Sequence, residues 1–172
     1  DSEVGLQIVD VSDPANPVLK GSISNKGDQI FVYGDYAYVD YGGSISIIDV
    51  SDPENPIFVE EFSAGLGAYV FNNGDNALGV YGFHSSIALA VYNTSDPANP
   101  YESDYCWIDE APETGFVKEG YAYMAGFFSD NFQIFDVSDP SYVSLESSTS
   151  IQSYIADIYV KGPYAYLASM PG

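Results

Sequence analysis

A chain of 172 residues can bury a substantial core, and with 46% hydrophobic and 16% aromatic residues it is too apolar to remain disordered. Acidic residues number 25 against four basic ones, all lysine, for a formal net charge of −21. Phosphate recognition relies on Lys and Arg neutralisation, so this balance argues against nucleic acid, nucleotide and anionic-lipid partners and favours an ionic medium, cations or positively charged partners. One cysteine, Cys106, and one histidine, His84, leave no disulfide within the chain and no zinc or redox motif. No run of 18 apolar residues occurs, so no membrane span is expected.

The predicted elements are strands. The first segment, "LQIVDVSDPANPVLKGS" from Leu6, reads as two short apolar runs joined by an Asp-Pro turn. The next stretch gives the clearest unit, with strands expected at Asp28 to Tyr33, Tyr36 to Asp40, Ser44 to Val50 and Ile57 to Phe62. Gly34 and Asp35 suit a two-residue hairpin turn, and Tyr41, Gly42 and Gly43 turn the next hairpin. Between the third and fourth strands, Asp49 and Ser51 can cap backbone amides, Pro53 pre-sets φ, and Pro56 lacks the donor that a central strand needs. The same turn recurs in "IALAVYNTSDPANPYES" from Ile87 and "FQIFDVSDPSYVSLESS" from Phe132. The chain closes on two strands, about Ala156 to Val160 and Tyr164 to Ser169.

The turns anchor four units at Asp13, Asp52, Asp96 and Asp139, with spacings of 39, 44 and 43 residues. A second anchor follows each Asp-Pro: "YGDYAYVDYGG" from Tyr33, "NGDNALGVYGF" from Asn73, "EGYAYMAGF" from Glu119 and "KGPYAYLASM" from Lys161. Antiparallel four-stranded units repeating at this length are what a β-propeller is built from, since one such sheet cannot cover both its faces alone. The expectation is one all-β propeller domain over residues 1–172, with one blade split between the N- and C-terminal ends. The two halves can meet within one molecule to close a four-bladed ring, between molecules to make a filament, or the chain can be part of a larger propeller.

The phrase "IVDVSDPANP", with strands such as "GDYAYV" between its copies, resembles the LVIVD repeat family over nearly the whole chain. The third unit carries Asn93 and Thr94 where Asp-Val is usual, and the fourth loses the second proline. The resemblance implies a propeller in a secreted or cell-surface protein and carries no shared catalytic residue set.

Function is therefore expected to be that of a non-enzymatic structural or interaction module. Self-association into a homo-oligomer or filament, other surface proteins, or glycans are the expected partners. The alternatives are a carbohydrate- or calcium-binding propeller and, behind it, a hydrolase or lyase. Asp10 with Asp13, Asp49 with Asp52, and Asp136 with Asp139 place two carboxylates three residues apart beside a turn, an oxygen-rich pattern that calcium favours. No calcium loop with a closing bidentate Glu accompanies them, and Asx caps explain the spacing unaided. No resident cofactor is expected beyond that possible Ca²⁺. A strand-two ladder of Tyr36, Tyr38, Tyr121, Tyr123, Tyr164 and Tyr166 fits blade packing first and a sugar or partner face second. His84, beside Ser85 and Ser86, is the one residue on which a triad could be built, but no Gly-x-Ser-x-Gly elbow is present. Asn93-Thr94-Ser95 is a sequon in an accessible turn, making Asn93 a candidate glycosylation site.

Overall fold

The structure is a computed structural model that describes residues 5–24, 27–65, 76–83, 86–108, 111–112, 114–126, 131–151 and 153–170. Every regular element among them is a strand: β1 (Leu6–Asp10), β2 (Val18–Ile23), β3 (Gln29–Tyr33), β4 (Tyr36–Tyr41), β5 (Ser44–Asp49), β6 (Ile57–Ser63), β7 (Asn76–Phe83), β8 (Ser86–Asn93), β9 (Tyr101–Ile108), β10 (Thr114–Lys118), β11 (Tyr121–Ala125), β12 (Asn131–Asp139), β13 (Tyr142–Ser150), β14 (Tyr154–Lys161) and β15 (Tyr164–Met170). No helix there is long and apolar enough to cross a membrane.

The strands form antiparallel sheets in simple chain order: β1-β2, β3-β4-β5-β6, β7-β8-β9, β10-β11-β12-β13 and β14-β15. The expected unit from residue 28 to 62 is present with its four strands in sequence. In the third unit the three described strands pair likewise, and the place of its first strand lies outside the described residues. At the two ends β1-β2 and β14-β15 form two-stranded sheets, with no strand pairing between them among the described residues.

Alternation along each strand sends successive side chains to opposite faces, and this decides the stacking order. In β4, Ala37 and Val39 face back to Leu6 and Ile23 of the first hairpin, whereas Tyr38 faces forward to Ala77, Ala90 and Tyr92 of the next sheet. In β7, Leu78 and Val80 face forward onto Ala122, Met124, Phe135 and Val137. Farther along, Ala125 and Phe132 meet Ile155, Ile158, Val160 and Leu167 of the last hairpin. Four apolar layers thus bind five sheets face to face. The core is a series of sheet-to-sheet interfaces, as in repeat architectures whose units contact only their neighbours.

A feature shared by all four units was not anticipated from the sequence. The pairing of the third with the fourth strand slips by one residue at the same place each time, leaving Lys20, Val59, Ser103 and Glu146 as the extra residue. A bulge of this kind bends the strand and raises its twist. Nothing in composition or periodicity marks it, because these four side chains share no chemistry.

The hairpin between first and second strands reaches its turn in two ways. Gly34 adopts a φ of 56° ahead of Asp35, as expected for a tight turn. In the fourth unit both Glu119 (φ 53°) and Gly120 (φ 82°) are left-handed, so a non-glycine residue there carries the strain.

Candidate functional site

The recurring acidic turn lies at the same end of every blade, between the third and fourth strands. In the first unit, Asp10 Oδ1 accepts from the Ser12 amide at 2.9 Å, Asp13 Oδ1 accepts from the Ala15 amide at 3.0 Å, and Asp13 Oδ2 accepts from Asn16 Nδ2 at 2.8 Å. Asp49 and Asp52 repeat this with Ser51, Glu54 and Asn55. An amide-to-carbonyl bond from Asn16 to Asp13, from Asn55 to Asp52 and from Asn99 to Asp96 closes a four-residue turn with proline second. Asp136 and Asp139 accept from both the amide and the hydroxyl of Ser138 and Ser141 respectively, the hydroxyls at 2.6 Å.

The six candidate calcium ligands are therefore engaged in Asx-type bonds two residues downstream, with oxygens turned into their own loops. Among the described residues, no three or more His, Cys, Asp or Glu side chains group closely enough to hold a metal ion. His84 and Ser85 lie outside the described residues. Ser86 begins β8.

Hydrogen bonding holds these six carboxyls below the ordinary aspartate value of 3.8. For Asp10 the Ser12 amide is the leading cause, followed by its hydroxyl. For Asp49, Asp136 and Asp139 the leading cause is the hydroxyl of Ser51, Ser138 and Ser141, followed by the amide of the same serine. For Asp13 and Asp52 it is the side-chain amide of Asn16 and Asn55, then the amides of Ala15 and Glu54. Carboxyls depressed in the folded chain contribute stability that is complete above 3.8 and is lost as pH falls through their lower folded values. A thermal midpoint followed from pH 7 to pH 2 is thus expected to fall steeply only below about pH 4, and Asp52→Asn, which keeps an acceptor but cannot titrate, is expected to flatten part of that slope.

Asn93 substitutes for the first aspartate of the third turn and does its work: its Oδ1 accepts from the Ser95 amide at 3.0 Å and hydroxyl at 2.6 Å. The candidate glycosylation residue is half-buried at the end of β8. Thr94, in place of the usual valine, is buried and receives the Tyr38 hydroxyl at 3.4 Å from the preceding blade. In the fourth unit Val143 replaces the second proline. Its amide, which proline would lack, donates to Asp104 Oδ2 of the neighbouring β9 at 2.8 Å. The missing proline was the readable signal for this inter-blade bond.

The tyrosine ladder divides. Tyr36 and Tyr38 are packed between sheets, Tyr123 stacks on Phe132 with ring centroids 6.3 Å apart, and Tyr121, Tyr164 and Tyr166 are exposed. Sequence reading did not single out two further exposed features. Val18, Ile57, Tyr101 and Tyr142 are each the first residue of an outer strand, next to an acidic turn. On β9, Tyr105 and Trp107 share an exposed face with their rings edge to face at 5.3 Å. The described ion pairs, Lys20 to Glu54 at 3.3 Å and Lys118 to Glu119 at 3.5 Å, leave the surface overwhelmingly anionic.

No curated protein matches the sequence. Among solved structures, the N-terminal domain of Nup159 is similar in fold, with a TM-score of 0.55 at 10% identity over 90% of this chain and 43% of that one. A functionally unknown protein from Desulfotomaculum acetoxidans DSM 771 (TM-score 0.45, 12% identity, 87% of this chain and 65% of that one) also matches. So does an S. cerevisiae Dbp5 variant bound to Nup159, a Gle1 variant, IP6 and ADP (TM-score 0.47, 10% identity, 88% and 41%). The chain spans less than two thirds of each of these. The LVIVD repeat description matches residues 1–25, 26–64 and 116–150, more than half of the sequence. Its three matched segments coincide with the first half-blade and the two complete four-stranded sheets, and the chain belongs to the LVIVD repeat family.

Proposed function

We propose that this chain is a non-enzymatic interaction module of a secreted or cell-surface protein, built as a propeller-type stack and able to self-associate into rings or filaments through its half-blades. The observation that carries the proposal is the apolar rim. Val18, Ile57 and Tyr101 hold the same place at the start of three outer strands, and in the fourth unit, where Ser144 takes that place, Tyr142 is exposed within the turn itself, so an exposed apolar side chain lies beside each of the four anionic turns. Recurrent exposed apolar residues edged with charge fit protein recognition, and the surrounding acids favour a partner with basic residues. The turn carboxylates, the most regular polar feature of the chain, are engaged in holding backbone, which supports a scaffold role. The net charge of −21 suits an ionic extracellular medium.

A glycan-binding reading is favoured by one separate observation, the exposed Tyr105 and Trp107 pair, since aromatic faces stack on sugar rings. Trp107 is the single tryptophan of the chain, so its fluorescence reports that site alone. Titration with a cationic amphipathic peptide is expected to show salt-sensitive binding that weakens about tenfold, equivalent to about 1.4 kcal/mol, in the triple variant Ile57→Ser, Tyr101→Ser, Tyr142→Ser. Trp107 quenching by oligosaccharides, without peptide binding, would give the function to glycans instead. Turnover of a glycosidic or ester substrate panel would overturn the non-enzymatic assignment.

A further inference from the structure

The outer strand β9 departs from its counterparts at two places. Tyr105 pairs with Ala90, and Trp107 pairs with Ala88. The corresponding pairs in the other sheets are polar. They are Gln7 with Ser22, Ser46 with Glu61 and Gln133 with Ser148 at the first place, and Ser44 with Ser63 and Asn131 with Ser150 at the second. Those sheets form with hydrophilic residues where this one carries two large rings, so the stack itself does not require the rings.

The rings lie on the flank between two adjoining sheets. Cross-strand partners point to the same face of a sheet. Leu89, Val91 and Cys106 point to the following sheet and pack there, whereas Ala90 and Tyr92 point to the preceding one. Tyr105 and Trp107 share that second face with Ala88 and Ala90. Both alanines are completely buried, yet the rings beside them are 42% and 52% exposed. The preceding sheet has all four strands, β3 to β6, and its Phe62 reaches Tyr92 at a centroid distance of 4.9 Å. The rings therefore stay exposed beside a complete neighbour.

The geometry selects a class of ligand. The two rings stand at 75° with centroids 5.3 Å apart, so they form two walls of a corner instead of one flat platform. A ring face carries negative potential and attracts a cation set against it, tryptophan most strongly. Glu102, the cross-strand partner of Tyr92, is exposed on the same face and adds a full negative charge. The net charge of −21 extends that field over the whole surface. Sugar sites depend on placed polar groups that fix orientation, and here the two places across the ladder hold alanine where other sheets hold Gln, Ser or Asn. An organic cation is held by ring faces and the anionic field without them.

We propose that Tyr105 and Trp107 form a recognition site for an organic cation, the guanidinium or alkylammonium group of a partner's arginine or lysine side chain. The inference deepens the reading of the chain as an interaction module for a basic partner, and rests on it. It assigns the partner's charge to a corner on β9, apart from the apolar rim at the turns.

Trp107 fluorescence follows this site directly, because the chain has no other tryptophan. The full chain is titrated at constant ionic strength with a hexapeptide of alternating serine and arginine, with its lysine counterpart, and with a citrulline counterpart that keeps the shape of arginine without its charge. The arginine and lysine peptides are expected to give a saturable change that weakens as salt is raised, and the citrulline peptide to bind about tenfold more weakly. Tyr105→Ser brings in the residue type that two other units hold at this place. It is expected to keep the far-ultraviolet spectrum and weaken binding about fivefold, whereas Tyr105→Phe retains it. Equal binding of the citrulline and arginine peptides would overturn the proposal, as would no response to any of them. A response to oligosaccharides with none to the charged peptides would overturn it too and make the corner a sugar site. The triple rim variant Ile57→Ser, Tyr101→Ser, Tyr142→Ser separates the two readings. An unaltered Trp107 titration in that variant would uphold the cation site even where the rim binds nothing. Peptide binding at the rim by calorimetry, with Trp107 silent, would overturn the cation site and leave the interaction module standing.

Discussion

Replacing Phe135 with alanine is expected to lower the thermal midpoint on the order of 10 °C, the largest single-residue effect in the chain. Phe135 is completely buried and lies in the layer where β7-β8-β9 meets β10-β11-β12-β13, beside Leu78, Val80, Met124 and Val137. Truncating a buried phenylalanine costs about 3–5 kcal/mol, the transfer loss plus the cavity left behind. For a chain of this size each kcal/mol shifts the midpoint by about 2–4 °C. Collapse around the gap is limited because the residue's own backbone sits at the slip of pairing that recurs in each unit, where Ile134 matches Ser147 and Phe135 matches Leu145. Differential scanning calorimetry checks the prediction. Because this layer is central in the stack, the loss is also expected to separate the unfolding of the two halves and broaden the transition.

Gly21→Ala is expected to release the first hairpin selectively. A methyl group at Gly21 would overlap the Pro53 carbonyl oxygen and come within 3.1 Å of the Glu54 backbone. Those atoms belong to the acidic turn of the adjacent blade, which its internal hydrogen bonds make rigid. The turn cannot yield as a flexible side chain would, so the hairpin must move, at a cost of about 1–3 kcal/mol typical of overpacking. Hydrogen exchange is expected to accelerate in β1 and β2 and to stay unchanged in β10 to β13, since only neighbouring units share an interface. Uniform acceleration along the chain would mean that the first hairpin is coupled to the whole stack.

The sheet order and most strand limits were legible because they rest on local chemistry. Tyr36 to Asp40 was expected as the second strand and Tyr36–Tyr41 is observed, and the turn at Pro53 and Pro56 falls where proline geometry requires. The acidic pairs were legible as turn caps for the same reason, since each bond spans two or three residues. The bulge at Lys20, Val59, Ser103 and Glu146 was not legible. It answers to the twist of a sheet stacked on another sheet, and the extra residue can be of any type. Nor could sequence distinguish Tyr38 from Tyr166, which occupy the same place in the same motif.

By itself, then, the sequence determined the unit: four short strands, a two-residue hairpin, an Asp-Pro turn, and the repeat period that makes neighbouring units stack. These depend on φ preferences, missing amide donors and hydrogen bonds that reach only a few residues. The tertiary structure alone decided which copies of each residue are covered. Tyr38 is buried because a sheet follows it, whereas Tyr166 and Val32 are exposed among the described residues, where no strand covers them. Burial is a property of the neighbour, so the same motif residue acquires a different surface in different copies of the repeat.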